Sequence, residues 1–207
     1  MDPEPKAGLS VTGEVDAARA WSHRGARAGQ VLVLTKAIGT GVIVQAMKSE
    51  SAPQEAAEAA IASMRALNDL AREAGARAGA TSATDVTGFG LLGHLKNMCD
   101  ASQVTATLSA GAVPLLPGAR ALAEAGVVPG GSKRNLGWVQ AAVGFDDAVD
   151  ATTRLLLADA QTSGGLLLTV PEEAAGDLVS VLRDSNAACA IIGSIGAREG
   201  RSIVVKP

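Results

Sequence analysis

The residues best suited to do chemistry lie in one polar segment, ATDVTGFGLLGHL, at 83–95. Asp85 stands between Thr84 and Thr87, and Gly88-Phe89-Gly90 leads into a run that predicts a helix. A glycine turn opening onto a helix N-terminus presents free N–H groups to an anion, typically phosphate. One nearby carboxylate suits Mg²⁺, which takes its remaining ligands from water and phosphates. The segment therefore predicts phosphate and magnesium chemistry, with Asp85 as the metal ligand.

Two residues of this segment have a structural alternative. Asp85 could cap its own turn by accepting hydrogen bonds from the local backbone, as aspartates in turns often do. His94 follows one helical turn after Gly90 and lies among leucines, which is more typical of a packing residue than of a base or metal ligand. The residues alone leave both alternatives open.

Two further glycine-rich segments interrupt apolar stretches, GTG at 39–41 and QTSGG at 161–165. Each could be a plain turn, because glycine adopts positive φ and allows close backbone approach. Lys36 and the basic SKRN at 132–135 are candidate phosphate contacts, although exposed basic residues are usually only solvated. No Ser-His-Asp arrangement, zinc-ligand spacing or Walker-type phosphate loop is found in the sequence.

The elements that must position these segments alternate between strands and helices. Short apolar runs predict strands, among them VLVLT from Val31, ATLSA, CAIIGSIG and SIVVKP. Ser51 with Gln54 has the spacing of a capping box, with Pro53 in the first turn, and predicts a helix that continues to Gly75. PEEAAGDLVSVLRDSN predicts another, with Leu178, Val181 and Leu182 facing inward. We expect an α+β fold, with α-helices packed on a mixed β-sheet.

Composition excludes several classes of protein. Only 2% of the 207 residues are aromatic and the net charge is −3, which disfavours nucleic-acid binding. No apolar run approaches the roughly 18 residues that span a bilayer, and the N-terminal MDPEPKAG does not resemble a signal peptide. Cys99 and Cys189 lie in apolar surroundings and are expected to be reduced and buried. We therefore expect a soluble, cytoplasmic protein with neither nucleic-acid nor membrane partners.

Four motifs, in order, resemble the carboxyl-terminal half of selenophosphate synthetase, also called selenide, water dikinase. They are GLSVTGEV at 8–15, LTKAIGTG at 34–41, TDVTGFGLLGH at 84–94 and DAQTSGGLL at 159–167. The resemblance runs from about Gly8 to the end of the chain, and TDVTGFG is its most specific part. It implies the fold of the carboxyl-terminal domain of aminoimidazole ribonucleotide synthetase.

The resemblance also implies a reaction and a site. Members of this family convert ATP, selenide and water to selenophosphate, AMP and orthophosphate with Mg²⁺, and they work as dimers. Asp85 would then bind Mg²⁺ together with aspartates of an amino-terminal domain. Thr87, Gly88 and Gly90 would shape the loop beside the ATP phosphates. Thr162 to Gly165 would form a structural or substrate-closing loop.

The chain departs from the family pattern in one large respect. The nucleophile-bearing glycine-rich segment, its lysine and two further metal-binding aspartates of the family are not found in this sequence. We expect residues 1–30 to be the remnant strand and connection of a missing amino-terminal domain, and residues 31–207 to be the carboxyl-terminal synthetase-like domain. Such a chain would be inactive alone; the alternative is a non-catalytic nucleotide-binding or interaction module that kept the fold.

Overall fold

A seven-stranded mixed sheet organises the chain, as shown by a computed structural model that describes residues 10–17, 20–184 and 188–207. The strands are β1 Gln30–Leu34, β2 Ser82–Asp85, β3 Val104–Ser109, β4 Val143–Phe145, β5 Leu166–Pro171, β6 Ala190–Ala197 and β7 Ile203–Lys206. The helices are α1 Thr40–Lys48, α2 Gln54–Arg65, α3 Asp69–Arg77, α4 Gly90–Ser102, α5 Ala119–Glu124, α6 Gly130–Val139, α7 Ala151–Leu157 and α8 Glu172–Asp184.

The strand order is β2-β5-β1-β6-β3-β7-β4. The first five strands in this order, β2-β5-β1-β6-β3, pair antiparallel with their neighbours. The remaining pairs, β3 with β7 and β7 with β4, are parallel. β2, which ends at Asp85, is an edge strand. The expected α+β fold with a mixed sheet is confirmed.

β1 is buried along its whole length because helices cover both faces of the sheet. Leu32 and Leu34 point to one face, where α4 supplies most of the opposing apolar side chains. Val31 and Val33 point to the other, where α3 and α8 pack. A strand buried on both faces has no polar alternation, which explains the continuous apolar run in the sequence.

A third apolar cluster joins α1, α2, α5 and α7 beside the sheet. It is built largely from alanines, so these helices approach one another closely. It holds α1 against the rest of the domain and so positions the N-terminus of α1, where two of the sequence motifs meet.

The helix expected from Ser51 to Gly75 is two helices. Pro53 occupies the N-cap position without a side-chain cap, and Gln54 bonds Glu58 rather than the turn, so the capping box is not formed. The backbone is extended at Ala66, and α3 starts anew at Asp69. The carbonyls of Ser63 and Ala66, at this break, accept hydrogen bonds from Lys36 instead of continuing the helix.

Two other expectations are corrected. Val181 is 44% exposed, whereas Leu178 and Leu182 are buried as expected, so the apolar face of α8 is narrower than its sequence suggested. No strand forms over residues 10–15, the described part of LSVTGEV, and residues 1–9 lie outside the described chain. The division at residue 30 stays a prediction.

The two cysteines are buried and unpaired, as expected. Cys99 and Cys189 are free and buried, and burial raises the pKa of Cys99 to about 12. Across the described residues, no helix combines the length and the apolar character that crossing a bilayer requires.

Candidate functional site

The GTG and DAQTSGG motifs form one structure at the start of α1. The Asp159 carboxylate accepts hydrogen bonds from the Gly41 and Val42 amides at 3.0 and 3.2 Å. Gln161 Oε1 accepts from the Gly39 and Thr40 amides at 3.0 and 3.2 Å. These are the N–H groups that a helix N-terminus leaves unpaired. Side chains from 120 residues downstream cap the helix, so this N-terminus is not open to a phosphate.

Asp159 is the centre of this capping structure and is fully buried. Ser132 Oγ donates to Asp159 Oδ1 at 2.7 Å. Gln161 Nε2 donates at 3.0 Å to Oδ2, the oxygen that also accepts from the two amides. Burial raises the pKa of this carboxyl, and the hydrogen bonds from Ser132, Val42, Gln161 and Gly41 oppose the rise. Every partner is a donor, which matches a carboxylate rather than a carboxylic acid.

His94 holds the TDVT segment in place. Its Nε2 accepts from the Thr87 amide at 3.1 Å, so the ring proton is assigned to Nδ1. Nδ1 lies 3.3 Å from Thr84 Oγ1, which in turn donates to the Asp85 carbonyl oxygen. His94 therefore joins both threonines that flank Asp85 and acts as a positioning residue within the described chain.

The same loop is fixed from two more sides. The Val86 amide donates to the Gly165 carbonyl at 2.9 Å, and the Gln161 amide donates to the Thr87 carbonyl at 3.0 Å. Asn135 Nδ2 donates to the Gly88 carbonyl at 2.8 Å. The QTSGG loop and α6 thus support the TDVTGFG loop, which gives the former a structural role.

The glycines of TDVTGFG differ in their surroundings. Gly90 has φ +69°, and a Cβ there would lie 2.6 Å from the Ala158 carbonyl, so this glycine is required for packing. A Cβ at Gly88 would meet nothing within 4 Å. Gly88 is therefore free to border a ligand, while the cofactor roles of Thr87, Gly88 and Gly90 stay predictions.

Asp85 lies at the exposed end of β2 and accepts no side-chain hydrogen bond from the described residues. The alternative reading as a local cap therefore finds no support. No group of three potential metal-ligating His, Cys, Asp or Glu side chains occurs among these residues. One unpaired carboxylate fits Mg²⁺ as a single protein ligand, which is how Mg²⁺ binds when phosphates and water supply the rest.

Lys36 was expected to be a candidate phosphate contact, and this is wrong. Its side chain is buried, and Nζ donates to the carbonyls of Ser63, Ala66 and Ser163 at 3.2, 2.7 and 3.1 Å. Three acceptors match the three protons of an ammonium group. Burial lowers the pKa of Lys36. The lysine ties the end of α2 to the QTSGG loop.

The SKRN segment is divided in the structure. Ser132 is buried against Asp159, and Asn135 bonds the Gly88 carbonyl, so both are structural. Lys133 and Arg134 are exposed and stay candidate anion contacts.

A cleft of about 1020 Å³ opens beside Asp85. Trp21, His23, Arg72 and Arg77 line it together with Asp85. The Ser82 hydroxyl donates to the Ser22 carbonyl at 2.7 Å, which holds the segment carrying Trp21 and His23 against β2. Nothing in the sequence pairs His23 with Asp85, which lies 62 positions later, so this juxtaposition is a tertiary result.

The Thr87 hydrogen bond requires a neutral His94 ring, so the stability of this loop depends on pH. Burial lowers the pKa of His94, although Asp85 opposes this, so the neutral ring is favoured in the folded state. Stability is complete above the ordinary histidine pKa of about 6.5 and falls as the pH drops through it toward the folded value. Between pH 7 and pH 5 the free energy of unfolding should fall by at most about 2 kcal/mol, because the unfolded chain takes up a proton that the folded His94 binds less readily.

Urea unfolding at these two pH values checks the prediction. It is best done in a His23→Gln background, because His23 and His94 are the only histidines of the chain. His94→Gln added to this background should flatten the pH dependence. An unchanged slope would show that His94 is not the responsible group.

Comparison with known proteins agrees with the motifs. Residues 27–206 match the family model "AIR synthase related protein, C-terminal domain". The chain is 42% identical over 198 residues to selenide, water dikinase of Myxococcus xanthus (strain DK1622), covering 95% of this chain and 56% of that protein. It is 44% identical over 177 residues to the enzyme of the same name from Caldanaerobacter subterraneus subsp. tengcongensis, covering 86% and 51%.

Solved structures share the fold. Thiamine-monophosphate kinase from Stenotrophomonas maltophilia K279a superposes with a TM-score of 0.64 at 16% identity, covering 93% of this chain and 54% of that one. Hydrogenase maturation protein HypE in complex with ATP gives 0.61 at 19% identity, covering 93% and 52%. The chain spans about half the length of the curated relatives it matches. It belongs to the AIR synthase related protein family, of which it carries the C-terminal domain.

Proposed function

We propose that this chain is the carboxyl-terminal domain of an ATP-dependent selenophosphate synthetase, which forms selenophosphate, AMP and phosphate from selenide, ATP and water. The observation that carries the proposal is Asp85, a carboxylate without a hydrogen-bonding partner in the described chain, on a loop that His94, Gln161 and Asn135 hold in place. A rigid loop that presents one free carboxylate is suited to share a metal ion with a second domain.

In this proposal Asp85 provides one ligand to Mg²⁺, and an amino-terminal domain provides the other protein ligands and the nucleophile. When bound, the ion would neutralise phosphate charge. Thr87 and Gly88 border the phosphates, and the His94 network holds Asp85 at a fixed position. The chain alone is inactive, because one carboxylate cannot neutralise and orient a triphosphate. A homodimer and a cytoplasmic location belong to the same proposal.

Complementation tests this function. The purified chain is mixed with the amino-terminal half of a selenide, water dikinase, or fused to it, and selenide-dependent AMP formation is measured. We expect no AMP from either half alone and AMP from the combination. Asp85→Asn should lower this rate about 100-fold, equivalent to about 2.7 kcal/mol.

Asp147→Asn is the matched control, because Asp147 is an exposed aspartate outside the Asp85 cleft. It should leave the rate unchanged. Folded and associated halves that form no AMP would contradict the proposal and favour a non-catalytic module. Nucleotide binding that survives Asp85→Asn would likewise count against a metal-dependent role for this residue.

A further inference from the structure

The cleft beside Asp85 carries charges of both signs that are not paired with each other. Arg72 and Arg77 line it from α3, and Asp85 lines it from the end of β2. Within the described residues, neither guanidinium makes a salt bridge or a side-chain hydrogen bond, and Asp85 makes none either. Charged side chains of both signs therefore line one cleft without forming a salt bridge to each other within the described chain.

Other arginines of the chain show what a structural guanidinium does here. Arg154 donates to the carbonyls of Val149 and Asp146, and Arg198 donates to Asp100 and to the Val104 carbonyl. These arginines tie loops to elements. Within the described chain, Arg72 and Arg77 make no such hydrogen bonds, and both line the cleft beside Asp85. Their shared position in the cleft with Asp85, and not the lack of a partner alone, points to a ligand.

A ligand that satisfies this cleft must present a cation to Asp85 and anionic oxygens to the arginines. A complex of a divalent metal with a polyphosphate has this distribution of charge. Guanidinium groups bind phosphate oxygens through paired, charge-assisted hydrogen bonds. The volume of about 1020 Å³ is large enough for such a complex together with further parts of a larger ligand.

We propose that Arg72 and Arg77 form a phosphate-binding wall of the cleft that Asp85 also lines, and that they bind the oxygens of a metal–polyphosphate whose cation Asp85 holds. The inference rests on the proposed function for the identity of the nucleotide, and it adds two residues that no motif marks. The arginines supply the positive charge that Lys36, occupied with three carbonyls, does not supply.

Titration calorimetry of the whole chain with inorganic tripolyphosphate, with and without Mg²⁺, tests this wall. Arg72→Ala and Arg77→Ala should each weaken Mg²⁺–tripolyphosphate binding about tenfold, the loss expected for one charge-assisted contact. The double variant should weaken it by about 100-fold and reduce the salt dependence. Arg65→Ala, an exposed arginine that does not line the cleft, is the matched control and should bind like the wild type.

Asp85→Asn separates the role of the carboxylate from that of the arginines. This variant should abolish the increase in tripolyphosphate affinity that Mg²⁺ causes. Metal-free tripolyphosphate should bind no more weakly than to the wild type, because a negative charge has been removed from the cleft. Far-ultraviolet circular dichroism confirms that each variant is folded. Absence of binding by the wild-type chain, or a folded double variant that binds as well as the wild type, would overturn the proposal.

The outcome is separable from that of the complementation assay. Tripolyphosphate carries no nucleoside, and its binding requires neither selenide nor an amino-terminal half. If tripolyphosphate binding depends on the arginines but the combined halves form no AMP, the proposed reaction is contradicted and the phosphate wall is supported. If AMP forms at the same rate in both arginine variants, the reaction is supported and the phosphate wall is contradicted.

Discussion

Asp159→Ala should lower the free energy of unfolding by about 3 to 5 kcal/mol, the largest loss that we expect from a single polar side chain here. The substitution leaves the amides of Gly41 and Val42 and the hydroxyl of Ser132 without their acceptor in a buried place. Each unsatisfied buried donor costs about 1 to 3 kcal/mol, less whatever water recovers. The measurement is urea unfolding followed by circular dichroism.

Two controls make the result specific. Asp147→Ala removes an exposed carboxylate and should change stability by less than about 0.5 kcal/mol. Asp159→Asn keeps the shape and one acceptor oxygen, so its loss should lie between those of the other two variants. Near-wild-type stability of Asp159→Ala would show that the capping structure is not needed to hold α1.

Gly90→Ala and Gly88→Ala, only two positions apart, should differ strongly. At Gly90 an alanine would adopt a left-handed conformation and place its Cβ 2.6 Å from the Ala158 carbonyl. Together these should cost about 3 kcal/mol of unfolding free energy. At Gly88 the new methyl group meets nothing within 4 Å, so stability should change by less than about 1 kcal/mol.

The pair separates packing from ligand binding, because Gly88→Ala perturbs the loop surface without perturbing the fold. If Gly88 borders phosphate, this variant should weaken Mg²⁺–ATP binding in the combined halves while its unfolding midpoint stays in place. Equal loss of stability in both variants would contradict the assignment of Gly90 as the packing glycine of this loop.

Much of the secondary structure could be predicted from the sequence. Short apolar runs predicted β1, β3, β6 and β7, because a continuous apolar stretch of strand length is typical of a buried strand. The break between α2 and α3 was not predicted, because helix-forming residues precede and follow Ala66-Leu67-Asn68. A buried lysine from another element binds the carbonyls at the break, and periodicity carries no information on that contact.

The site was predictable to a similar extent. The TDVTGFG motif singles out Asp85, and its role as a metal ligand stays a prediction. Among the described residues its carboxylate has no hydrogen-bonding partner at the end of β2. The prediction that Lys36 contacts phosphate was wrong. The local sequence of a basic residue beside a glycine turn is the same whether its side chain contacts phosphate or three backbone carbonyls. Arg72 and His23 carry no motif, and only their packing against the same cleft singles them out.

From the amino-acid sequence alone it follows that three glycine-rich segments interrupt an aliphatic chain, that four motifs resemble one family in order and spacing, and that an aspartate stands before a glycine turn. Local composition and near-neighbour spacing are sufficient for those statements. The three-dimensional contacts were needed to show that DAQTSGG caps GTG, that His94 positions the Asp85 loop, and that two arginines line the same cleft as Asp85. These contacts join residues far apart in the chain, and the free energy that selects them comes from burying both faces of one sheet.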